Sequence, residues 1–325
     1  MPDAVRRDLH KLILLLAAGY NIAFGAWVAL RPDDFFDIFL IDPPNHPAIW
    51  QCLGMVIGVY GAGYAWAASR PELRKPIVAL GLAGKILGPI GWIAAVASGD
   101  LPVRTFPLVL FNDLVWWVPF GLILLEGTRL APRIRASAPF VCAGFNALGA
   151  IAMVLVLRHG LESESDPGAR DAFITDQAAL WQGSWGIWIC AALSLAAFYG
   201  WWAAKLDRLR LGRSVFLIAV VGLACDLAAE SIYIGWAPLP GGIMRTAALL
   251  TGGAANGLYT VAGILLTLAT PMTGPFRAVT WAVWSSGLAL TASTIAGAVT
   301  GMAVSTAALM ILFCPWCAWL GWKLR

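Results

Sequence analysis

Ten separate stretches of about twenty mostly apolar residues, each bounded by charged or Pro/Gly-rich breaks, govern what this chain can fold into, because that length crosses a bilayer as a helix. They lie near 11–30, 48–69, 76–97, 105–125, 138–157, 179–204, 214–236, 242–269, 277–298 and 302–322. Spans occupy about 200 residues at this helix length, so no connection is long enough to form a soluble domain. Only 12% of residues are charged, about half the share of a soluble domain. The chain therefore reads as an all-α, polytopic integral membrane protein whose chemistry sits inside the bilayer or in two short loops. Arg6, Arg7 and Lys11 ahead of the first run imitate a signal peptide, but the run continues to Leu30, too long for a signal core.

Basic residues set the expected orientation. With the N-terminus cytoplasmic, Arg6, Arg7, Lys11, Arg70, Arg74, Lys75, Arg129, Arg133, Arg135, Lys205, Arg208, Arg210, Arg213, Arg277, Lys323 and Arg325 fall on the cytoplasmic side. Arg31, Arg104, Arg158, Arg170 and Arg245 fall opposite. The bias alternates loop by loop, which predicts a multi-pass protein of the cell inner membrane with both termini cytoplasmic. Net charge of +4 comes from these loops and implies contact with anionic lipid, with no nucleic-acid partner.

The two longest connections, 31–47 and 158–178, are both expected outside. One carries Asp33, Asp34, Asp37 and Asp42, the other Glu162, Glu164, Asp166, Asp171 and Asp176. A metal site there would recruit His46 and His159, yet no ligand spacing recurs, so the loops read as solvated acids without metal.

Spans one to four and five to eight look like two copies of one unit. Tyr20-Asn21 with Gly25 is matched by Phe145-Asn146 with Gly149. After an acidic loop, Trp50-Gln51 with Gly54 is matched by Trp181-Gln182 with Gly186, and Asn112 by Asn256 in mid-span. Four spans per copy is an even number, so the predicted architecture is a tandem parallel 4+4 repeat with two C-terminal helices. The units are 1–130 and 131–325, the latter made of a second repeat, 131–270, and two extra helices, 271–325.

Four charges fall inside spans, each costing about 2.5–3.5 kcal/mol on insertion scales: Lys85, Asp113, Asp226 and Glu230. Lys85 lies ten residues past Lys75 and Asp113 nine past Arg104, so both sit about 13–15 Å deep at 1.5 Å per residue. Antiparallel neighbours at one depth predict a Lys85–Asp113 ion pair, which either fixes packing or serves as a proton or substrate site. Gly81, Gly84, Gly88 and Gly91 around Lys85 form a small-residue stripe for close helix approach. Pro89 should bend the helix and leave a carbonyl free beside the lysine.

In the seventh span, Asp226, Glu230 and Tyr233 stand at i, i+4 and i+7 on one face. Arg245 is the cation within reach, and of Glu230 alone, so Asp226 is the carboxyl expected to carry a proton. The pair is a proton-relay candidate, or else a hydrogen-bonded acid satisfied by Asn256 or Asn146 at similar depth. Cys314-Pro-Trp-Cys317 resembles a thiol-redox motif, but i, i+3 side chains on a helix lie about 5–6 Å apart at Cβ, beyond disulfide range. The pair is therefore expected to be reduced. Three histidines cannot build a di-iron site, and no nucleotide fingerprint occurs, so no cofactor is predicted.

Residues 20–126 resemble a family of small four-helix bacterial membrane proteins. YNIAFGAW, the stretch from Pro43 to Tyr64, GLAGKILGPIGW around Lys85 and FNDLVWWVPFGLIL from Phe111 carry the likeness. The resemblance implies that Lys85, Asn112 and Asp113 belong to that family's pattern, and it implies no activity. Its members often carry an alkyl hydroperoxide reductase label, for which this chain has no peroxidatic cysteine in a suitable fold. Three functions remain open: a small-molecule or proton-coupled carrier, a membrane-embedded enzyme acting on a lipid or isoprenoid, and a non-catalytic scaffold or assembly factor. The partners expected are the lipid bilayer and a small-molecule or lipid ligand.

Overall fold

A computed structural model describes residues 3–206, 208–238 and 241–324; Arg325 of the basic residues counted above lies outside them. Every regular element among these residues is helical. The helices are α1 (Asp3–Leu30), α2 (Pro32–Phe39), α3 (Pro47–Ser69), α4 (Arg74–Ser98), α5 (Phe106–Val109), α6 (Val115–Leu124), α7 (Leu130–Leu155), α8 (Pro167–Asp176) and α9 (Ala178–Ala203). They continue as α10 (Leu209–Gly235), α11 (Gly241–Ala248), α12 (Asn256–Ala269), α13 (Gly274–Ala296) and α14 (Val299–Lys323). Two π-helical segments, Leu110–Leu114 and Leu249–Ala255, join α5 to α6 and α11 to α12.

Nine helical stretches among the described residues are long and apolar enough to cross a membrane. The tenth expected span forms α13, 23 residues long, but it is not among those nine. The reason is a polar stripe. Thr280, Gly287 and Thr294 lie on the buried side with Phe276, Val283, Trp284 and Leu290, while Leu288 and Ile295 face outward. The stripe is satisfied by neighbours: Trp316 Nε1 donates to Thr280 Oγ1 at 2.8 Å, and Asn256 Nδ2 to Gly287 O at 2.7 Å and Thr291 Oγ1 at 2.8 Å. Polar groups that bond to neighbouring helices in this way are tolerated in lipid although the mean hydropathy of the helix is low.

Contacts divide the chain into two compact units, 3–131 and 132–325. Within the first, α1 and α3 approach until their backbones touch. A Cβ added at Gly25 would lie 2.7 Å from Gly58 N, and one at Gly61 would lie 2.9 Å from Ala18 O. Both loops expected outside contain helix. In α2, Phe35 and Phe36 are buried against Trp50 at ring distances of 4.7 and 5.5 Å, while Asp33 and Asp37 stay exposed. Arg104 secures the end of α2 by donating to Phe39 O and Leu40 O at 2.5 and 2.6 Å. In the second loop Asp166 caps α8, accepting from Gly168 N at 2.9 Å. Among the described residues no group of three or more His, Cys, Asp or Glu is placed to hold a metal ion.

The second unit is centred on aromatic side chains. Trp202, Trp284 and Trp316 pack with ring centroids 5.1–6.5 Å apart, and Phe198 lies against Trp202 and Trp316. Cys314 and Cys317 are free thiols on an unbroken α14 that carries Pro315 within it. Cys317 Sγ donates to Pro139 O on α7 at 3.2 Å, so the buried thiol acts as a packing and hydrogen-bonding group between these helices.

Candidate functional site

Each unit places its intramembrane charge against a π-helical segment. In the unit 3–131, Lys85 and Asp113 are 5% and 6% exposed. The expected direct ion pair does not form, because Lys85 Nζ donates to the backbone carbonyl of Asn112 instead. A π turn shifts the helical hydrogen-bond register and turns carbonyls toward side-chain donors. Here Phe111 O takes the indole N–H of Trp116 at 3.1 Å, and Asn112 O takes the ammonium.

Asp113 Oδ1 accepts from Asn112 Nδ2 at 3.2 Å, so Asn112 bridges the two charges through its backbone and its side chain. Lys85 also lies 5.7 Å above the ring of Trp116, which stands 6.1 Å from Tyr20. The carbonyl released by Pro89 belongs to Lys85 itself, four residues earlier, and Trp117 Nε1 donates to it at 2.8 Å.

The glycine stripe works differently from a helix-docking surface. Gly81 receives the phenol of Tyr64, and the Asp113 carboxylate rests on Gly88, where a Cβ would come within 3.1 Å of its Cγ. Gly84 and Gly91 face open space. Asn21 is buried with Oδ1 unpartnered, and no described contact joins it to Lys85.

In the unit 132–325, Asp226 and Glu230 on α10 are 8% and 1% exposed. Asp226 Oδ1 accepts from Thr251 Oγ1, in the second π segment, at 2.5 Å. The Tyr259 hydroxyl is buried without a hydrogen-bond partner. The ring of Tyr259 lies on Gly222, one turn before Asp226, where an added Cβ would be 3.0 Å from Cε1. Tyr199 stacks on Tyr259 at 6.0 Å and donates to its carbonyl at 2.7 Å, fixing the ring.

Glu230 has no comparable support. Its Oε2 is buried without a hydrogen-bond partner. Arg245 does not reach it; that guanidinium donates to Ile295 O at 2.9 Å, at the end of α13. No described lysine or arginine pairs with either carboxyl.

The asparagines proposed as partners are engaged elsewhere. Asn256 bonds to α13, and Asn146 donates to Cys142 O, one turn back on its own helix, at 2.9 Å. Tyr233 continues the carboxyl stripe but stacks on Trp185 at 4.2 Å, with its carbonyl held by Trp181 Nε1 at 2.7 Å.

Sequence reasoning missed Thr251, Tyr259 and Tyr199. Thr251-Gly252-Gly253-Ala254-Ala255, five small residues in mid-span, was the available sign that the backbone there departs from a regular helix. The charge arrangement separates the two clusters. Lys85 and Asp113 neutralise each other through Asn112, whereas Asp226 and Glu230 have no counter-charge among the described residues. No family model matches this chain, and no curated protein or solved structure matches it.

Proposed function

We propose that this chain is a proton-coupled carrier of the inner membrane, with Asp226 and Glu230 as its proton site. Glu230 carries the reading: it is 1% exposed, one helical turn from a second carboxyl, and its Oε2 has no partner. An unpaired carboxylate is costly in such a place, so Glu230 holds a proton while it is buried. Asp226, which accepts from the Thr251 hydroxyl at 2.5 Å, is the acid that remains ionised in this reading. This reverses the assignment that the sequence suggests.

In this reading all ten long segments cross the bilayer, α13 included, with both termini cytoplasmic. Residues 1–130 and 131–270 are parallel repeats, followed by α13 and α14. Supporting the duplication, Gly81 precedes Lys85 by four residues as Gly222 precedes Asp226, and each glycine is covered by a tyrosine ring. In both copies the charge then bonds the π segment of the following span. The copies diverge at their first pair of helices. Trp185 stands in register with Gly54, and Gly149 faces the indole of Trp188, so the glycine contact of α1 with α3 has no counterpart there.

Orientation is tested by impermeant-thiol labelling of Asp166→Cys with the exposed Cys52 replaced. Labelling from outside is expected, and labelling from the cytoplasmic face alone overturns the orientation. Coupling is tested in proteoliposomes loaded with a pH-sensitive dye and exposed to a jump of mixed salts and small metabolites. Wild-type protein should drive proton movement above that of empty liposomes, and Asp226→Asn with Glu230→Gln should return it to that background. Equal proton movement in wild type and double variant removes the carrier reading.

A further inference from the structure

Two depressions meet at Pro44 in the unit 3–131. The larger, of about 770 Å³, lies between the chain leaving α2 and the turn after α4, and Phe36, Leu40, Asp42, Asp100 and Arg104 are among the residues that line it. The smaller, of about 340 Å³, is lined by Asn45, His46, Ile49, Trp50 and Leu53, and Pro44 lines both. We propose that together they form a binding site for a phospholipid with a primary-amine headgroup, a phosphatidylethanolamine. Its ammonium meets Asp42 and Asp100, its phosphate meets Arg104, and its glycerol and upper chains lie along Pro44, Ile49 and Leu53.

The charges are the first argument. Two carboxylates and a guanidinium line the larger depression, yet among the described residues no ion pair joins them. Opposite charges around one cleft that do not neutralise each other suit a ligand bringing a cation and an anion of its own. Arg104 donates from Nε to Phe39 O at 2.5 Å and from one Nη to Leu40 O at 2.6 Å, so it is anchored while its other Nη has no described partner. Free N–H groups on a fixed planar fork match a phosphate oxygen. Asp100 accepts from Ser98 Oγ at 2.6 Å through Oδ2 and keeps Oδ1, and Asp42 makes no described side-chain bond.

A primary nitrogen fits these acids. An ammonium offers three N–H donors to the two carboxylates. A quaternary nitrogen is held by aromatic faces, and Phe36 is the one aromatic side chain lining the larger depression.

The apolar continuation is the second argument, and it selects a lipid over a free amine. Ile49 and Leu53 are 68% and 46% exposed on α3, a span that the protein leaves mostly uncovered. The smaller depression therefore opens on a face that meets acyl chains. Trp50 lines it with an indole N–H that is buried without an acceptor, and the ester carbonyl between headgroup and chains supplies one. Depth agrees with this order. Asp42 precedes α3, and Asp100 and Arg104 follow α4, whereas Leu53 lies six residues beyond the start of α3 at Pro47, about 9 Å along the helix.

The proton site of the unit 132–325 takes no part in this proposal, so the carrier test leaves it untouched. Native mass spectrometry of the full-length protein in detergent, titrated with dioleoyl phosphatidylethanolamine, phosphatidylcholine or phosphatidylglycerol, reads the dissociation constant of the first lipid bound. Wild-type protein should hold the ethanolamine lipid about tenfold more tightly than either of the others. Asp42→Asn with Asp100→Asn, both at exposed positions, should abolish that preference. Soluble phosphoethanolamine carries both charges without chains, and should compete only at a concentration at least about a hundredfold above that of the lipid.

Equal affinity of wild-type protein for the three lipids overturns the site. So does an ethanolamine preference that survives in the double variant. Competition by phosphoethanolamine at the concentration of the lipid itself overturns the lipid assignment in favour of a soluble amine. Should the double variant fail to fold, the wild-type preference and the phosphoethanolamine competition decide.

Discussion

Replacing Gly25 by alanine should destabilise the unit 3–131 by about 2–3 kcal/mol, the cost of forcing an extra methyl into a packed interface. The atoms it would meet are Gly54 O and, at 2.7 Å, Gly58 N. Backbone atoms cannot change rotamer, so α1 and α3 would have to separate along their length. Gly58→Ala is the control, because the Cβ direction at Gly58 is open although its own backbone is what Gly25 touches. That change should be neutral or slightly stabilising, since alanine favours helix over glycine by up to about 1 kcal/mol. Reversible SDS unfolding in mixed micelles measures both. Similar stabilities for the two variants would show that the close approach contributes little.

What could be read from the sequence was whatever the bilayer imposes. A helix must offer about twenty apolar residues to lipid, and nine segments do so in a form that composition reveals. In α13 the inward Thr280, Gly287 and Thr294, together with the exposed Ser285, lower the average. A window average cannot distinguish which face is polar.

Intramembrane charges were equally legible, because hydrocarbon tolerates so few of them. Their partners were not, and the reason is the backbone. Matched depth suggested that Lys85 would pair with Asp113, but the π segment Leu110–Leu114 presents Asn112 O to the ammonium. The second π segment likewise delivers Thr251 to Asp226, in place of Asn256 or Asn146. Helical periodicity assumes constant register, and a π turn breaks that assumption at the residues that matter here. Acidic loop residues were read as merely solvated, whereas Asp34 accepts from Trp27 Nε1 at 3.1 Å and Asp166 caps α8. Such contacts depend on local turns that charge counting ignores.

Lys85→Met should destabilise the protein by about 3–5 kcal/mol, and Lys85→Met combined with Asp113→Leu should recover much of that loss. The single change leaves Asp113, 6% exposed, with no cation in its surroundings. It also removes the donor to Asn112 O, a carbonyl that the π segment presents to the ammonium. Adding Asp113→Leu eliminates the stranded charge and leaves only the carbonyl and an altered fit over Gly88. Asn112 makes the outcome informative, since it touches both charges: its carbonyl accepts from Lys85 and its amide donates to Asp113. If the charges act as one unit through this residue, the double-mutant cycle gives a coupling of about 0.5–3 kcal/mol. Additive losses would mean that lysine and aspartate are stabilised separately by their own neighbours, Trp116 for one and the Gly88 surface for the other. The cluster would then no longer be electrically self-contained, and the contrast that singles out Asp226 and Glu230 as the charge-bearing site would lose its basis.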